Sequence, residues 1–321
     1  MIKQQLRAGD LIAEPGEKIQ GFLNVPGTDY HMPATLINGD RPGKTVLITA
    51  GIHGGEYPCV ETAIELGQEL QPAEITGQII LVQLVNPPAF QARLSYINPL
   101  DGKNINRQFP GDPNGSISQK LAWFITEELQ GQADFYLDLH GGDIHEELPP
   151  YVYYPGMAYP EVVKASRAVA VKLDVEFMVK SSATTGAYNS AGRRGLPCVM
   201  IERGGSGLWS PAEVASYKKD VLTVLATQGL LPPSKTCPDP AAHREPMEIT
   251  KAVYLEAASS GCWYPKAKIR ELVRAGQTIG EIRDIFGNLL SSYQAEFDSM
   301  ILFITTSLAI NEGDPIITYG I

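Results

Sequence analysis

The chain has 321 residues and a mass of 34.9 kDa, the size of one large domain or two ordinary ones. It is 44% hydrophobic and 19% charged, a composition that can bury a sizeable core and excludes a disordered chain. Lys and Arg number 26 against 36 Asp and Glu, and the net charge of −10 argues against a nucleic-acid or anionic-membrane partner, which needs a basic face.

The opening residues, MIKQQLRAGDLIAEPGE, lack the apolar stretch of a secretory signal. The apolar run 301–310 is short and interrupted by Thr305, Thr306 and Ser307, so no transmembrane span is expected. Cys59, Cys198, Cys237 and Cys262 are widely spaced and form no CxxC pair. These features predict a cytoplasmic protein with reduced thiols.

Residues 45–50 (TVLITA) are a short β-branched run bounded by glycine, which predicts a buried strand. Val60, Ala63, Ile64, Gly67 and Leu70 then recur at helical spacing, so a helix is expected from about Glu56. A second strand is expected over 78–85, stopped by Asn86-Pro87-Pro88, and a helix from Ser116 through Leu129. Residues 134–139 (DFYLDL) and 198–201 (CVMI) read as further strands, ending at His140-Gly141-Gly142 and Glu202-Arg203-Gly204-Gly205. Residues 160–173 and 211–225 read as helices, each with proline in its first turn. Alternating buried strands and helices imply an α/β sandwich with a largely parallel sheet.

Five prolines fall in the sixteen residues 231–246, which reads as an interdomain linker. Short β-like runs separated by Gly turns follow. The expected organisation is a catalytic domain over 1–231, a Pro-rich linker over 232–247 and a small all-β domain over 248–321.

The strongest chemical signal is Gly51-Ile52-His53-Gly54-Gly55-Glu56. His53 lies just past a buried strand and Glu56 where the next helix begins, so both can point at one ion. The two glycines would also let the backbone pass close to it. His140 and Glu202 occupy equivalent strand ends, and in open α/β sheets sites form at the carboxyl ends of strands. Two His and one carboxylate, leaving a position for water, make a catalytic zinc set. Asp138, two residues before His140, faces the same side of its strand and could orient it. His31, His145 and His243 read as surface residues.

The motifs AGIHGGE (50–56), NINRQFPG (104–111), LDLHGG (137–142) and GLPCVMIERGG (195–205) resemble, in this order, the succinylglutamate desuccinylase/aspartoacylase family of zinc-carboxypeptidase-like deacylases. The resemblance covers most of the chain. It implies a three-layer α/β/α domain with a mostly parallel mixed sheet, and one Zn2+ per chain held by His53, Glu56 and His140. It further implies Glu202 as general base, Asn106 and Arg107 as the pair that binds a substrate carboxylate, and Arg93 as the group that stabilises the oxyanion. Tyr188, Arg193 and Arg194 are candidates for further substrate contacts. The C-terminal turns resemble a lipoyl/biotinyl-type β sandwich, but 295–300 has no Lys to modify, so a lid, a channel wall or an oligomer contact is expected instead.

The function implied is zinc-dependent removal of a small acyl group from an N-acylated amino acid or related amine. The alternatives are a metallocarboxypeptidase acting on short peptides, and a non-catalytic zinc- or metabolite-binding homologue. Neither the acyl group nor the oligomeric state is legible.

Overall fold

The computed structural model describes residues 5–233 and 244–321. Residues 234–243, with Cys237, His243 and most of the expected linker, lie outside the described residues.

The centre of the molecule is a nine-stranded mixed sheet. Its strands are β1 (Lys18–Asn24), β2 (His31–Asn38), β3 (Arg41–Ala50), β4 (Thr76–Val82), β5 (Phe135–His140), β6 (Tyr151–Pro155), β7 (Phe177–Ser181), β8 (Cys198–Glu202) and β9 (Met247–Ile249). Their spatial order is β9-β7-β6-β8-β5-β3-β4-β2-β1. The central run β8-β5-β3-β4 is parallel, whereas β6 runs against β8, and β2 and β1 form an antiparallel edge.

Side chains alternate across a strand, and here both faces are covered. Val46, Ile48, Leu137, Leu139, Val199 and Ile201 enter one core with helices α1 (Tyr57–Glu69) and α6 (Pro211–Thr227). Leu47, Tyr136, Cys198 and Met200 enter the opposite core with α3 (Ile117–Phe124) and α5 (Ala187–Arg193). Two further helices complete the layers, α2 (Pro87–Ala92) and α4 (Pro160–Ala170). Proline sits in the first turn of α1, α4 and α6, where a missing N–H costs nothing. Ser210 caps α6 by accepting from the Glu213 N–H at 3.2 Å. No helix among the described residues is long and apolar enough to cross a membrane.

The C-terminal strands are β10 (Ala252–Glu256), β11 (Gly261–Pro265), β12 (Thr278–Arg283), β13 (Leu289–Gln294), β14 (Ser299–Thr305) and β15 (Pro315–Gly320). They enclose a core of Trp263, Ile279, Ile282, Ile301 and Tyr319. Two features differ from the expected division at 248. Residues 247–249 pair in parallel with β7 of the large sheet. The two-residue strand Glu146–Glu147 leaves the catalytic half of the sequence to pair antiparallel with β14. Long-range pairing of this kind has no local sequence signature, because strand partners are chosen by the assembled fold.

Candidate active site

The central strands bring their carboxyl ends to one rim. His140 and Glu202 are the last residues of adjacent parallel strands and are register partners. His53 and Glu56 follow β3, the next strand over. The α6 residue Tyr217 ties this rim together, with its hydroxyl 2.6 Å from the His140 carbonyl and 2.7 Å from the Ile201 carbonyl. Gly55 and Gly141 are fixed by close approach: a Cβ on Gly55 would lie 2.1 Å from Asp143 Oδ1, and one on Gly141 2.1 Å from the Arg203 carbonyl. At Gly55 the glycine makes room for a neighbouring side chain, a use the sequence did not disclose.

His53 Nδ1 is 2.6 Å from Glu56 Oε1, and His140 Nδ1 is 3.0 Å from Glu56 Oε2. The other ring nitrogens point away. His53 Nε2 lies 3.2 Å from Asn104 Oδ1, an oxygen that also accepts the Asn106 backbone N–H. His140 Nε2 faces Asp138 Oδ2 at 3.4 Å, and neither atom has another partner. With the ring protons on Nε2, facing these outward acceptors, both Nδ1 lone pairs would converge on the Glu56 carboxylate, an arrangement that a cation between them would satisfy. One donor atom from each of His53, Glu56 and His140 lies within 4.8 Å of the others, and all three residues are buried. Two imidazoles and a carboxylate are a donor set that suits zinc. The residues present therefore fit the metal that the family resemblance implies.

Burial would raise the Glu56 pKa, but the adjacent His140 and His53 draw it down to about 2. Burial likewise disfavours charged His140, yet Glu56 and Asp138 hold its pKa well above the ordinary value. Glu202 shows the opposite balance. Burial, with Glu56, Glu146 and Asp138 nearby, pushes it well up despite His140, and its Oε2 has no partner. Its sequence neighbour Arg203 turns to the other side and pairs with Asp220 at 2.7 Å, so Glu202 is not spent on a salt bridge with it.

These groups open into a cavity of about 480 Å³. Asn106, Arg107 and Tyr188 line it. The Asn106 side-chain Oδ1 accepts the Ala187 N–H at the start of α5, leaving its side-chain NH2 as the donor it can offer. Arg93 and Arg193 are not brought to this cavity. Arg93 caps α2 in a left-handed conformation, is exposed, and lines a separate cavity with Tyr57, Phe90 and Trp209. Arg193 is exposed at the far end of α5 and donates to the Thr184 carbonyl. Arg194 binds Gln130, and His145 and His31 are exposed.

Two groups at the site had no signal in the sequence. Tyr96, three residues after Arg93, also has a positive φ of 55°. That second left-handed residue redirects the chain, so that its ring packs edge-on against His53 with centroids 5.8 Å apart. Its hydroxyl donates to Glu146, which is buried and also accepts the Asp143 N–H at 2.8 Å. Burial raises the Glu146 pKa to about 7, with the charges of Glu56 and Asp143 adding to it against the bonds from Tyr96 and Asp143. The far wall comes from the C-terminal strands, through Tyr254, Leu302, Phe303, Pro315 and Thr318.

Residues 42–228 match the succinylglutamate desuccinylase/aspartoacylase catalytic domain, and the chain belongs to that family. It is 26% identical over 310 residues to N-alpha-acetyl-L-2,4-diaminobutyric acid deacetylase of Halomonas elongata, covering 92% of this chain and 89% of the relative. It is 28% identical over 180 residues to succinylglutamate desuccinylase of Shewanella putrefaciens, covering 50% and 51%. Among solved structures, the product-bound ectoine utilization protein EutE (DoeB) of Ruegeria pomeroyi superposes with a TM-score of 0.84 at 24% identity, over 95% of each chain. A succinylglutamate desuccinylase/aspartoacylase of Rhodobacter sphaeroides does so with a TM-score of 0.82 at 26% identity, over 95% of each chain.

Proposed function

We propose that this protein is a zinc-dependent amidohydrolase that releases the acyl group of an N-acylated amino acid or related amine. The observation that carries this reading is the convergence of His53 Nδ1, His140 Nδ1 and the Glu56 carboxylate beside a buried, unpaired Glu202. The two named relatives are a deacetylase and a desuccinylase, which supports the reaction type.

His53, Glu56 and His140 would hold the ion. When bound, zinc lowers the pKa of a water and polarises a carbonyl oxygen. Glu202 would take the proton of the attacking water and return it to the departing amine, a transfer open to a buried carboxyl with an unpartnered oxygen beside the His/Glu/His group. Arg107, with the Asn106 amide, receives the substrate carboxylate in a forked pair of N–H bonds. Tyr96 stands where the expected Arg93 does not. Its O–H can exchange Glu146 for the acyl oxygen as negative charge grows there. A chamber of about 480 Å³ with a far wall suits a small amide better than an extended peptide.

The test is elemental analysis and turnover on the same preparations. Wild type is expected to carry one zinc per chain and to hydrolyse N-acyl amino acids faster than dipeptides. A His53→Ala, His140→Ala double variant is expected to carry none and to be inactive. Equal zinc in both proteins would sink the metal assignment, and a preference for dipeptides would make the protein a peptidase.

A further inference from the structure

The cavity is lined by three glutamates, Glu56, Glu146 and Glu202, and among the described lining residues Arg107 is the sole Lys or Arg. That guanidinium can neutralise one substrate carboxylate. Apart from the proposed metal, a second carboxylate would find no further Lys or Arg among the described lining residues to meet it, and a buried charge without a partner is strongly disfavoured.

The rest of the wall has another character. Tyr151, Phe177, Val179 and Leu302 form a small buried cluster where the C-terminal strands meet β6 and β7, and each also borders the cavity. Tyr153 packs against Tyr151 with centroids 5.2 Å apart and against Tyr188 at 6.1 Å. Its hydroxyl lies 3.4 Å from that of Tyr254, which closes the wall from β10. Aromatic and branched side chains held by one another present a preformed surface, the kind that favours flat or branched apolar groups. The volume of about 480 Å³ falls in the ~300–1,000 Å³ range of pockets that engulf drug-sized ligands, well beyond the needs of an acetyl group.

We propose that this wall is a specificity pocket for an uncharged aromatic or branched aliphatic group flanking the scissile amide, and that the substrate carries a single carboxylate. The inference rests on the deacylase reading above. It narrows that reading by excluding dicarboxylic acyl groups such as succinyl as the preferred cargo.

The experiment compares kcat/KM of the zinc-loaded protein for N-acetylalanine, N-succinylalanine, N-phenylacetylalanine and N-acetylphenylalanine. One or both aromatic compounds are expected to exceed N-acetylalanine by at least ~10-fold, the scale on which apolar pockets discriminate, and N-succinylalanine to fall below it. Which aromatic compound wins shows whether the pocket takes the acyl or the amine side. N-succinylalanine as the best substrate would overturn the proposal, as would two aromatic compounds no better than N-acetylalanine. Tyr254 is exposed on its strand, so Tyr254→Arg should fold and place a cation on the wall. Its ratio of succinyl to aromatic turnover should rise at least ~10-fold, by the same discrimination, and an unchanged ratio would remove Tyr254 from the pocket. Calorimetric binding of the same four compounds to Glu202→Gln separates the two readings. If wild type hydrolyses none of them, the deacylase reading fails, while tighter binding of the aromatic pair would still uphold the pocket and equal binding would end it.

Discussion

The two walls of the cavity are built by different rules. The sheet wall is polar, and its groups His53, Glu56, His140 and Glu202 sit at or just beyond the ends of consecutive parallel strands. The C-terminal wall is largely apolar, and Tyr254, Leu302 and Phe303 reach it through strands distant in sequence. Strand ends fix a few atoms closely, as bond breaking requires. A packed aromatic surface tolerates variation in what lies against it. In the proposed function the first wall would set the reaction and the second the range of substrates, and the two should respond differently to substitution.

The largest effect belongs to the sheet wall. Glu202→Gln should keep zinc and fold while kcat falls by ~10²–10⁴-fold, the usual contribution of a general base; near-normal kcat would mean that another group moves the proton. Tyr96→Phe should lower kcat by ~10²–10³-fold, as loss of one oxyanion donor does, with zinc content unchanged. A change confined to KM would instead make Tyr96 a binding residue. Arg107→Lys should cost about 1.5–3 kcal/mol for a charge-assisted bond, or ~10–150-fold in kcat/KM. The loss should vanish when the substrate carboxylate is replaced by a carboxamide, and a loss shared by both compounds would place the carboxylate elsewhere.

The remaining effect is on stability rather than rate, at the seam between the walls. Burial raises the Glu146 pKa from 4.5 to about 7, so the fold prefers the neutral acid. That preference is fully present below about pH 4.5 and is lost as pH rises through 7. At about 1.4 kcal/mol per pH unit, it amounts to about 3 kcal/mol. Denaturant melts of metal-free protein at pH 5 and pH 8 should show wild type losing up to that much more stability than Glu146→Gln. Identical losses would show that Glu146 titrates as an ordinary exposed carboxylate.

The residues of the sheet wall are conspicuous in the sequence because each lies at or just past the end of an apolar run, close to glycine. The central strands β3, β5 and β8 and the helices α1 and α6 lie close to their expected positions for the same reason. The strand expected over 78–85 ends at Val82, and the helix from Ser116 passes into a π-helical turn over Ile125–Leu129. The departures at the site come from direction. Between Arg93 and Tyr96 two left-handed residues turn the chain, which no periodicity encodes. Tyr188 and Arg193 lie five residues apart on α5, and at about 100° per residue they point to different faces, so only one reaches the cavity. The edge strands β1 and β2 form a local hairpin, whereas the pairing that brings β14 and its Leu302 to the cavity joins residues far apart in sequence.

The short strand that carries Glu146 hydrogen-bonds through the Glu146–Glu147 segment into the sheet of β14, and β9 returns to the large sheet. The two halves are thus stitched in both directions. Recombination at the proline-rich segment would not exchange one self-contained cassette for another, because it would unpair backbone beside the reacting groups. If the C-terminal wall sets specificity as proposed, a change of specificity would come by substitution along β10 and β14 rather than by shuffling whole modules.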